Sequence, residues 1–541
     1  MQTKLLGSEQ ALACGAWAAG VRVVTSYPGS PSSGVVEHLL AISAPDEVHI
    51  QWSANEKVAF ETALGASLAR QQTLVCMKSV GFNIALDPVM TANLTGVPGG
   101  LVILVGDDPG AWASQNEQDS RVLAAFAELP LLEPASPAEG AAMMGAAFEL
   151  SEEMGLPVVV RETRDFSQQR GRVPSLSRTP SRPPTFVAQG LEWVSLPFNV
   201  VPNHRRLHER LREVAARFDH SPFNAVEGQG SLGIVAAGFA HTKLLQALPE
   251  GIPAHVNVLK LGTLYPLPEE LLTTFLTGKR RVLVLEEGGA FLEERLRALA
   301  QRRGLALDIQ GQETGHLPRE GALTEEQIEA ALAQLRGEFP SSSIEIAGQK
   351  APRPSQQGLC EGCFYIPLFE ALRDTLVELG AQAVICADPG CSIRIHQSPF
   401  EMLHVKYSMG SAIGLASGLW LAGVDELPVA LVGDSSFFHT GLNGLLSAVA
   451  SGAHILVLIL DNGSAALTGG QPHPGSGWNA RGNEVRAVQL EGLLCACGVD
   501  HLVAIDPTDR PATEKVIRDA LWAQGLRVVI ARGECLRVNR P

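Results

Sequence analysis

Polar residues follow two apolar stretches in the C-terminal part of the chain. Gly433, Asp434 and Ser435 come directly after PVALV, and Asp461 and Asn462 come after HILVLIL. The 29 positions from Gly433 to Asn462 leave room for one crossover helix, HTGLNGLLSAVASG, between two parallel strands. Because ligands of open α/β sheets bind at the carboxyl edge, we expect both polar tips to meet at a binding site there.

These tips carry the oxygen atoms that Mg²⁺ prefers. The Asp434 carboxylate, the Asn462 amide oxygen and the backbone carbonyl of Ser464 are hard ligands that leave coordination positions for a diphosphate. The N-terminus of the crossover helix, from Thr440 to Gly444, would add N–H groups for those phosphates. Asp and Asn also end strands simply as turn residues. Two of them at neighbouring strand tips favour a cofactor site.

Four of the nine cysteines form a second group of chemically useful residues. Cys360 and Cys363 make a C-x-x-C ahead of the strand QAVICADPG, Cys391 follows that strand, and Cys535 follows the last strand. All four could meet at one sheet edge, where they would suit a tetrahedral zinc ion or an iron–sulfur cluster. Unlinked core thiols are the remaining alternative. Apolar patterns surround the other five cysteines, which we expect to be buried thiols: Cys14, Cys76, Cys386, Cys495 and Cys497.

The elements that must position these residues alternate between helical and extended patterns. This alternation is typical of parallel sheets covered by helices on both faces, and it occurs in three blocks. We therefore predict an α/β fold with three doubly wound, mostly parallel sheets. The helix over 137–154 has the clearest ends, because Ser136 and Glu139 form a capping box, Pro137 takes the first helical position and Gly155 ends the helix.

Two stretches rich in Ser, Pro, Arg or Gln separate the three blocks. Neither stretch sustains a helical or a strand period, so we expect both to be exposed linkers. The predicted organisation is a domain over 1–170, a linker over 171–225, a smaller domain over 226–336, a linker over 337–357 and a domain over 358–541 that carries the four cysteines.

Composition and charge exclude several classes of protein. The 541 residues are 45% hydrophobic, which predicts a globular chain of several domains. The net charge of −15 and the lack of a basic run argue against a nucleic-acid partner. No apolar run approaches the roughly 20 residues of a membrane helix, and Glu9 interrupts the one candidate signal sequence. We expect a cytoplasmic protein, in which clustered cysteines more often hold metal than form disulfides.

Seven segments together resemble a known family. They are YPGSPSS (27–33), WSANEKVAFETALGAS (52–67), GDDPGAWASQNEQDSR (106–121), LKLGTLYPLP (259–268), TGHLPREG (314–321), and GDSSFFHTGLNGLL followed by DNGSAALTGGQPHPG. The chain is similar over essentially its whole length to the large subunits of the indolepyruvate:ferredoxin oxidoreductase family. This family belongs to the wider group of 2-oxoacid:acceptor oxidoreductases, which depend on thiamine diphosphate.

The resemblance implies a function for each block. The first domain would bind the aminopyrimidine of thiamine diphosphate, the second would be a transketolase-C-like module, and the third would bind the diphosphate. The implied cofactor-binding residues are Glu56, Gly433, Asp434, Ser435, Asn462 and Ser464. Of these, Asp434, Asn462 and Ser464 would hold Mg²⁺. The implied ligands of a [4Fe-4S] cluster are Cys360, Cys363, Cys391 and Cys535.

The implied reaction is the oxidative decarboxylation of a bulky 2-oxoacid, such as an aryl pyruvate, to an acyl-CoA. It would proceed through an enamine of the cofactor, with coenzyme A as co-substrate, and electrons would leave through the cluster to a ferredoxin or a partner subunit. A non-oxidative thiamine-dependent lyase or ligase with structural zinc is one alternative. A non-catalytic subunit of such a complex is the other.

Three residues are predicted to be catalytic: Glu56 and Ser30 by the resemblance, and His439 by its place beside the diphosphate motif, where it could orient substrate or shuttle protons. Glu56 matches the glutamate that hydrogen-bonds the aminopyrimidine and relays a proton to it, although a solvated glutamate at a helix start is also common. Ser30 matches a Ser or Thr near the substrate carboxylate, and a plain turn is its alternative. His439 and His473 flank the diphosphate motif, as proton shuttles or as ordinary histidines. Six further residues have two possible roles, as contacts to the cofactor or as parts of salt-linked loops: Lys78, Asn116, Glu117, Asp119, Arg121 and Arg161.

The chain departs from the family pattern at several positions. Ser79, Trp112 and Tyr365 stand where the family has histidine, which puts indolepyruvate itself in doubt as the substrate. Six residues follow Cys535, without the C-x-x-C-rich, ferredoxin-like tail of the indolepyruvate type. We therefore expect electrons to pass to another polypeptide or directly to a diffusible acceptor. A separate small companion subunit and a homodimeric core are further expectations from the resemblance.

Overall fold

The computed structural model describes residues 3–186, 193, 195–337 and 358–538 of the chain. These residues form two compact units. The first unit takes its described residues from 1–50 and 56–352, and the second takes them from 51–55 and 353–541. The predicted linker over 337–357 lies outside the described residues apart from Gly337. The division into three domains stays a prediction.

The elements from Thr3 to Arg336 belong to the first unit. The exception is the end of its third strand, Gln51 and Trp52, which belongs to the second unit. The strands are β1 (Thr3–Gly7), β2 (Val23–Ser26), β3 (His49–Trp52), β4 (Thr73–Lys78), β5 (Leu101–Asp107), β6 (Leu131–Leu132), β7 (Val158–Thr163), β8 (Arg170–Pro174), β9 (Ala225–Gly228), β10 (Leu232–Ala237), β11 (Val256–Leu261), β12 (Thr263–Tyr265), β13 (Arg281–Leu285) and β14 (Asp308–Gln310). The helices are α1 (Ser8–Ala19), α2 (Ser33–Ile42), α3 (Glu56–Leu68), α4 (Ser79–Thr95), α5 (Ser120–Phe126), α6 (Pro137–Met154), α7 (Arg164–Ser167), α8 (Pro197–Phe218), α9 (Phe239–Gln246), α10 (Glu269–Leu276), α11 (Phe291–Arg302) and α12 (Glu325–Arg336).

Two larger sheets and a small ribbon organise this unit. The seven-stranded sheet has the order β12-β6-β7-β5-β4-β2-β3, in which the run from β6 to β2 is parallel and β12 is antiparallel to β6. The five-stranded sheet has the order β14-β13-β10-β11-β9, with only its edge strand β9 antiparallel. The strands β4, β5 and β7 are buried over their whole length, which explains the apolar runs in β4, in β5 and in the first half of β7.

The second unit contains one sheet of six parallel strands. Its strands are β15 (Ala383–Ala387), β16 (Val405–Lys406), β17 (Leu427–Gly433), β18 (Leu456–Asp461), β19 (His501–Ile505) and β20 (Arg527–Arg532). Its helices are α13 (Tyr365–Leu379), α14 (Ala412–Leu421), α15 (Asp434–Ser436), α16 (Leu442–Ser451), α17 (Leu490–Ala496) and α18 (Arg510–Trp522). The strand order is β16-β15-β17-β18-β20-β19, so the loops after four adjacent strands open at the same edge.

The α/β fold with several mostly parallel sheets agrees with the sequence-based expectation, and the predicted ends of α6 are confirmed. The Ser136 hydroxyl accepts a hydrogen bond from the Glu139 N–H at 3.3 Å, and Gly155 ends the helix in the left-handed region at φ 61°. Helix α4 continues through Pro88, because buried Phe82, Ala85, Val89 and Ala92 keep the helical spacing on both sides of it.

The expectation of an unstructured linker over 171–225 is wrong in two places. Most of β8 lies in this segment and pairs antiparallel with β1. The 22-residue helix α8 lies there as well, and its buried face repeats at helical spacing through Leu207, Leu211, Val214 and Phe218. Prolines and arginines dominate the local composition and hide this apolar stripe in the sequence. None of the helices in the described residues combines the length and apolar character needed to cross a bilayer.

Candidate active site

Two neighbouring strand ends of the second unit hold the predicted diphosphate motif. β17 and β18 are parallel partners, with Gly433 opposite Leu460. Asp434 begins α15, which continues through a π-helical turn over Phe437–Gly441 into the crossover helix α16. The two polar tips therefore lie at the same edge of the sheet, because parallel neighbours end on the same side.

The Asp434 carboxylate joins these two loops. It is 2% exposed, and its Oδ1 accepts a hydrogen bond from the Ser435 N–H at 2.7 Å. Its Oδ2 accepts from the backbone N–H groups of Asn462 at 2.9 Å and Gly463 at 2.7 Å. Charge-assisted hydrogen bonds of this kind fix the carboxylate relative to the loop after β18.

The Asn462 side chain is held at both ends. Its Oδ1 accepts hydrogen bonds from the Ser464 N–H at 3.1 Å and the Ser464 hydroxyl at 2.9 Å. Its Nδ2 donates to the Tyr365 hydroxyl at 3.0 Å. Burial and the nearby charge of Asp434 raise the pKa of Tyr365 well above its usual value, so this side chain is a neutral phenol. The orientation of the amide is thus fixed before any ligand binds.

The donor chemistry of these loops fits a magnesium ion. Carboxylate, amide and backbone carbonyl oxygens are its preferred protein ligands. The Asp434 carboxylate has about four acceptor directions, of which backbone N–H groups take three. One direction on Asp434 Oδ1 stays available for a cation. The Asn462 Oδ1 accepts two hydrogen bonds from Ser464 and would bind the ion in exchange for one of them, and the Ser464 carbonyl would add a further oxygen.

The four predicted cysteines line one cleft. Cys360 and Cys363 lie in the loop before α13, Cys391 begins a 3₁₀ turn after β15, and Cys535 follows β20. Asn462 and Tyr365 line the same cleft. Tyr365, which orients the Asn462 amide, and Asn462 itself therefore both lie beside the four thiols.

The cleft thiols influence one another. Burial raises the pKa of Cys391 to about 11, and the neighbouring Cys363, Cys535 and Cys360 add to this rise. Burial likewise raises the pKa of Cys363. Among the described residues, no three of these sulfur atoms lie within 4.8 Å of one another. Without a cation these two thiols are protonated at neutral pH, and a bound metal would stabilise their thiolate forms.

Both histidines near the motif are almost fully buried. His473 Nε2 lies 3.1 Å from Asp434 Oδ2, and its ring stacks on Phe438 with centroids 5.4 Å apart. His439 lies in the π-helical turn, with Nδ1 3.2 Å from the Thr440 hydroxyl. The His439 carbonyl accepts a hydrogen bond from Asn55 Nδ2 at 2.9 Å. His473 is thus in contact with the predicted metal-binding carboxylate.

The other two predicted catalytic residues lie in the first unit. Glu56 begins α3, is 6% exposed, and lies against Gly81 of α4, where an added Cβ would come within 2.4 Å of the Glu56 Cγ. Gly81 therefore provides the space that this carboxyl group occupies. Ser30 is exposed in the loop after β2. Beside that loop, buried Lys78 donates to the Ala113 carbonyl at 2.9 Å.

Several residues whose roles the sequence leaves open form a buried ion network. Arg161 donates to Asp107 and Glu133 at 2.6 Å each, and to the Glu287 carbonyl at 2.9 Å. These partners belong to both large sheets of the first unit. Arg121 pairs in the same way with Asp119 at 2.8 Å and with Glu286 at 2.7 Å. Salt-linked structure therefore accounts for Asp119, Arg121 and Arg161.

Sequence reasoning missed the contacts of Tyr365 and Asn55. Tyr365 was noted only as a replacement for histidine, although its place two residues after Cys363 at a helix start could have signalled a wall residue of the cysteine cleft. Nothing in the sequence pattern indicates the bond from Asn55 to the His439 backbone. The second unit brings together the motif residues, His473 and the four cysteines, while Glu56 and Ser30 lie in the first unit.

Two family descriptions match parts of this chain. Residues 14–181 match "Pyruvate flavodoxin/ferredoxin oxidoreductase, thiamine diP-bdg". Residues 389–531 match "Thiamine pyrophosphate enzyme, C-terminal TPP binding domain". The second match spans the loops after β17 and β18, and the first spans Ser30 and Glu56.

Curated relatives match nearly the whole chain. It is 36% identical to the indolepyruvate oxidoreductase subunit IorA of Pyrococcus abyssi over 98% of this chain and 85% of that protein. It is 37% identical to the same subunit of Methanothermobacter thermautotrophicus over 98% of this chain and 86% of that protein. A solved 2-oxoglutarate:ferredoxin oxidoreductase from Magnetococcus marinus is 15% identical, with a TM-score of 0.48 over 62% of this chain and 65% of that one. A solved split-gene transketolase is 17% identical, with a TM-score of 0.42 over 61% of this chain and 98% of that one.

Proposed function

The chain belongs to the family of the IorA subunit of indolepyruvate oxidoreductases, and from this premise we propose that it catalyses the oxidative decarboxylation of a 2-oxoacid to an acyl-CoA. The substrate class is an aryl pyruvate or another bulky 2-oxoacid, and coenzyme A takes the acyl group. Electrons leave through a [4Fe-4S] cluster to a ferredoxin or a partner subunit. The observation that carries the proposal is that Asn462 and Tyr365, which are hydrogen-bonded to each other, line the same cleft as the four cysteines.

In this proposal Asp434, Asn462 and Ser464 hold Mg²⁺ and, through it, the diphosphate of thiamine diphosphate. The supporting geometry is the fixed carboxylate of Asp434 and the amide of Asn462 held at both ends. Gly433 and Ser435 contribute the backbone around the diphosphate. Because these groups are oriented before binding, the protein loses little conformational entropy when the cofactor binds.

Glu56 has the role of a proton relay to the aminopyrimidine. Bound thiamine diphosphate supplies a carbon nucleophile and an electron sink for decarboxylation. The chain supplies a carboxyl group at the start of α3, packed on Gly81 and 6% exposed, which can hold or release a proton with little competition from water. Ser30 is assigned to the substrate carboxylate, and His439 to substrate orientation or proton transfer.

The spacing of the cleft sulfurs supports a cluster over a zinc ion. A tetrahedral zinc site with Zn–S bonds of about 2.3 Å holds its sulfur atoms about 3.8 Å apart. No three of Cys360, Cys363, Cys391 and Cys535, all within the described ranges, lie within 4.8 Å of one another. The spacing therefore does not match a preformed zinc site. Cys360, Cys363, Cys391 and Cys535, which line one cleft, would instead hold a [4Fe-4S] cluster, and that group would supply a one-electron acceptor.

Partners complete the proposed activity. A separate small companion subunit and an electron-acceptor protein work with this chain, and its catalytic core is a homodimer. Ser79 and Trp112, which replace family histidines, belong to segments near the proposed substrate pocket. For this reason the proposal names a class of bulky 2-oxoacids and does not name indolepyruvate.

Anaerobic spectroscopy and metal analysis test the redox part of the proposal. We expect the purified chain to be brown, with about four iron and four sulfide per chain, and to lose both when Cys360 and Cys363 are replaced by serine. Cys495→Ser is the matched control, because the expectation of a buried thiol is wrong for Cys495, which is exposed and lies outside the cleft. A colourless protein with stoichiometric zinc would instead support the non-oxidative lyase or ligase.

Turnover of a panel of 2-oxoacids by the complex, with CoA and a ferredoxin, tests the catalytic part. Glu56→Gln should lower kcat by about 100-fold or more, since general acid–base groups contribute 10²–10⁴-fold. Glu61→Gln, on the exposed face of the same helix, should leave kcat unchanged. Full activity of Glu56→Gln would contradict the relay, and the lack of any turnover by a thiamine-loaded, cluster-loaded complex would favour a non-catalytic subunit.

A further inference from the structure

We propose that Glu128, His204 and His208 form a binding site for a divalent transition-metal ion, for which Zn²⁺ is the best match. All three residues belong to the first unit. None of them has a role in the function proposed above. The site joins the turn after α5 to the first half of α8.

The geometry of the three side chains carries the proposal. His204 and His208 are four residues apart on α8, so their imidazoles project from the same face of the helix. His204 Nε2 lies 2.6 Å from one oxygen of Glu128, and His208 Nε2 lies 2.8 Å from the other. One ligand atom from each residue lies within 4.8 Å of the other two.

The backbone holds these ligands in place independently of any metal. Glu128 has φ 54°, a left-handed conformation that costs free energy for a residue with a side chain and persists only where the surroundings impose it. On α8, Leu207 and Leu211 are buried, which fixes the rotation of the helix and directs the histidines toward Glu128. The turn and the helix are therefore preorganised as a pair.

Charge and chemistry favour a cation at this point. Among the described residues, the Glu128 carboxylate contacts the two histidines and forms no ion pair with a lysine or arginine. Two imidazoles and one carboxylate are a donor set that binds zinc in proteins and leaves a fourth position for water. The histidine side chains are 45% and 54% exposed, so a metal ion and its water can enter from solvent.

Binding requires a small adjustment. Ligand atoms about 2.0–2.1 Å from a tetrahedral zinc ion lie about 3.3 Å apart. The carboxylate–imidazole distances of 2.6 and 2.8 Å must therefore widen by about 0.7 and about 0.5 Å. Exposed side chains can make such a change by rotation, with no movement of the backbone. A metal bound here would fasten α8 to the turn after α5, and folding would be coupled to metal binding.

Titration of the full-length chain with Zn²⁺ alone tests this inference. Because the four cysteines can also bind zinc, the comparison is between variants: wild type should bind one equivalent more than the His204→Ala/His208→Ala double variant and more than Glu128→Gln. His220→Ala, at an exposed histidine just beyond the same helix, is the matched control and should retain that equivalent. Zn²⁺ should also raise the thermal midpoint of wild type and His220→Ala more than that of the double variant.

Co²⁺ distinguishes the two kinds of site directly. At Glu128, His204 and His208 it should give visible d–d bands without the thiolate-to-metal charge-transfer absorption of a cysteine site, and these bands should be missing from the double variant. Equal Zn²⁺ stoichiometry, equal thermal shifts and equal Co²⁺ spectra in wild type and double variant would overturn the proposal. If the double variant unfolds, His208→Gln at the more exposed position is compared in its place, with the same two outcomes.

Discussion

Tyr365→Phe is the substitution that best separates the proposed cofactor loop from the cysteine cleft. It removes one oxygen atom, the acceptor of the 3.0 Å hydrogen bond from Asn462 Nδ2. The ring stays in place, because it packs against Phe364 with centroids 4.1 Å apart and against Phe369 with centroids 6.3 Å apart. The substitution therefore leaves the fold and the cleft wall intact while it frees one end of the Asn462 amide.

The size of the effect follows from that single bond. A neutral hydrogen bond contributes about 0.5–1.5 kcal/mol net, and about 1.4 kcal/mol corresponds to a tenfold change in affinity. Asn462 is only half-buried, so water can replace part of the lost interaction. We therefore expect the affinity for thiamine diphosphate in the presence of Mg²⁺ to fall by about 2- to 10-fold. The iron and sulfide content should stay unchanged, since no sulfur ligand is altered.

Isothermal titration of the anaerobic protein with thiamine diphosphate and Mg²⁺ measures this change. Tyr407→Phe is the matched control, because the same atom is removed from a tyrosine that is 64% exposed in the same unit. Asp434→Asn serves as the reference for loss of the site. The assay gives affinity and stoichiometry together, so a loss of active protein is distinguished from weaker binding.

Two results would refute this reasoning. If Tyr365→Phe binds the cofactor as tightly as wild type while Asp434→Asn does not, the orientation of Asn462 by Tyr365 has no part in binding. If instead Tyr365→Phe loses iron but binds the cofactor normally, the hydroxyl acts on the thiol cleft, and the proposed link between the two sites is wrong.

Three other substitutions test further parts of the structure. Asp434→Asn should weaken cofactor binding more than tenfold by calorimetry, because it removes the charge that joins both loops. Arg161→Met should lower the free energy of unfolding by about 3–5 kcal/mol, compared with exposed Arg170→Met, because Asp107 and Glu133 lose a buried partner. Burial already raises the pKa of Asp107, so this loss should shrink as pH falls and Asp107 takes up a proton. Burial also raises the pKa of Glu162 well above its usual value, so the contribution of Glu162 to stability declines as pH rises from about 4 toward that raised pKa. Glu162→Gln should therefore gain in thermal midpoint relative to wild type between pH 5 and pH 8.

The regular elements around the proposed site could be predicted from sequence because their signals are local. Apolar runs such as β5 and β18 are short and bounded by turn residues, which favours a buried strand over a buried helix. Ser136, Pro137 and Gly155 specify the ends of α6 through their own backbone preferences. The crossover length between Gly433 and Asn462 likewise indicates neighbouring parallel strands.

Contacts that depend on distant parts of the chain carried no such signal. The bond from Asn462 to Tyr365 joins residues 97 positions apart, and the bond from Asn55 to His439 spans 384. The buried network around Arg161 likewise needs both large sheets of the first unit to be assembled first. Helix α8 was missed for another reason, since its arginines mask a narrow apolar stripe that only the packed structure makes evident.

The order of strands in the second unit explains why a diphosphate loop and a thiol cleft can occupy one edge. Adjacent strands β15, β17, β18 and β20 are followed in turn by Cys391, Asp434, Asn462 and Cys535. Strands in a sheet lie about 4.8 Å apart, so the two outer loops start about 14 Å from each other. Both nevertheless reach the cleft that Asn462 helps to line, and so they converge over the central strands. A cofactor held at those central strands would therefore lie next to any cluster held by the outer ones, which is the arrangement that one-electron transfer between them requires.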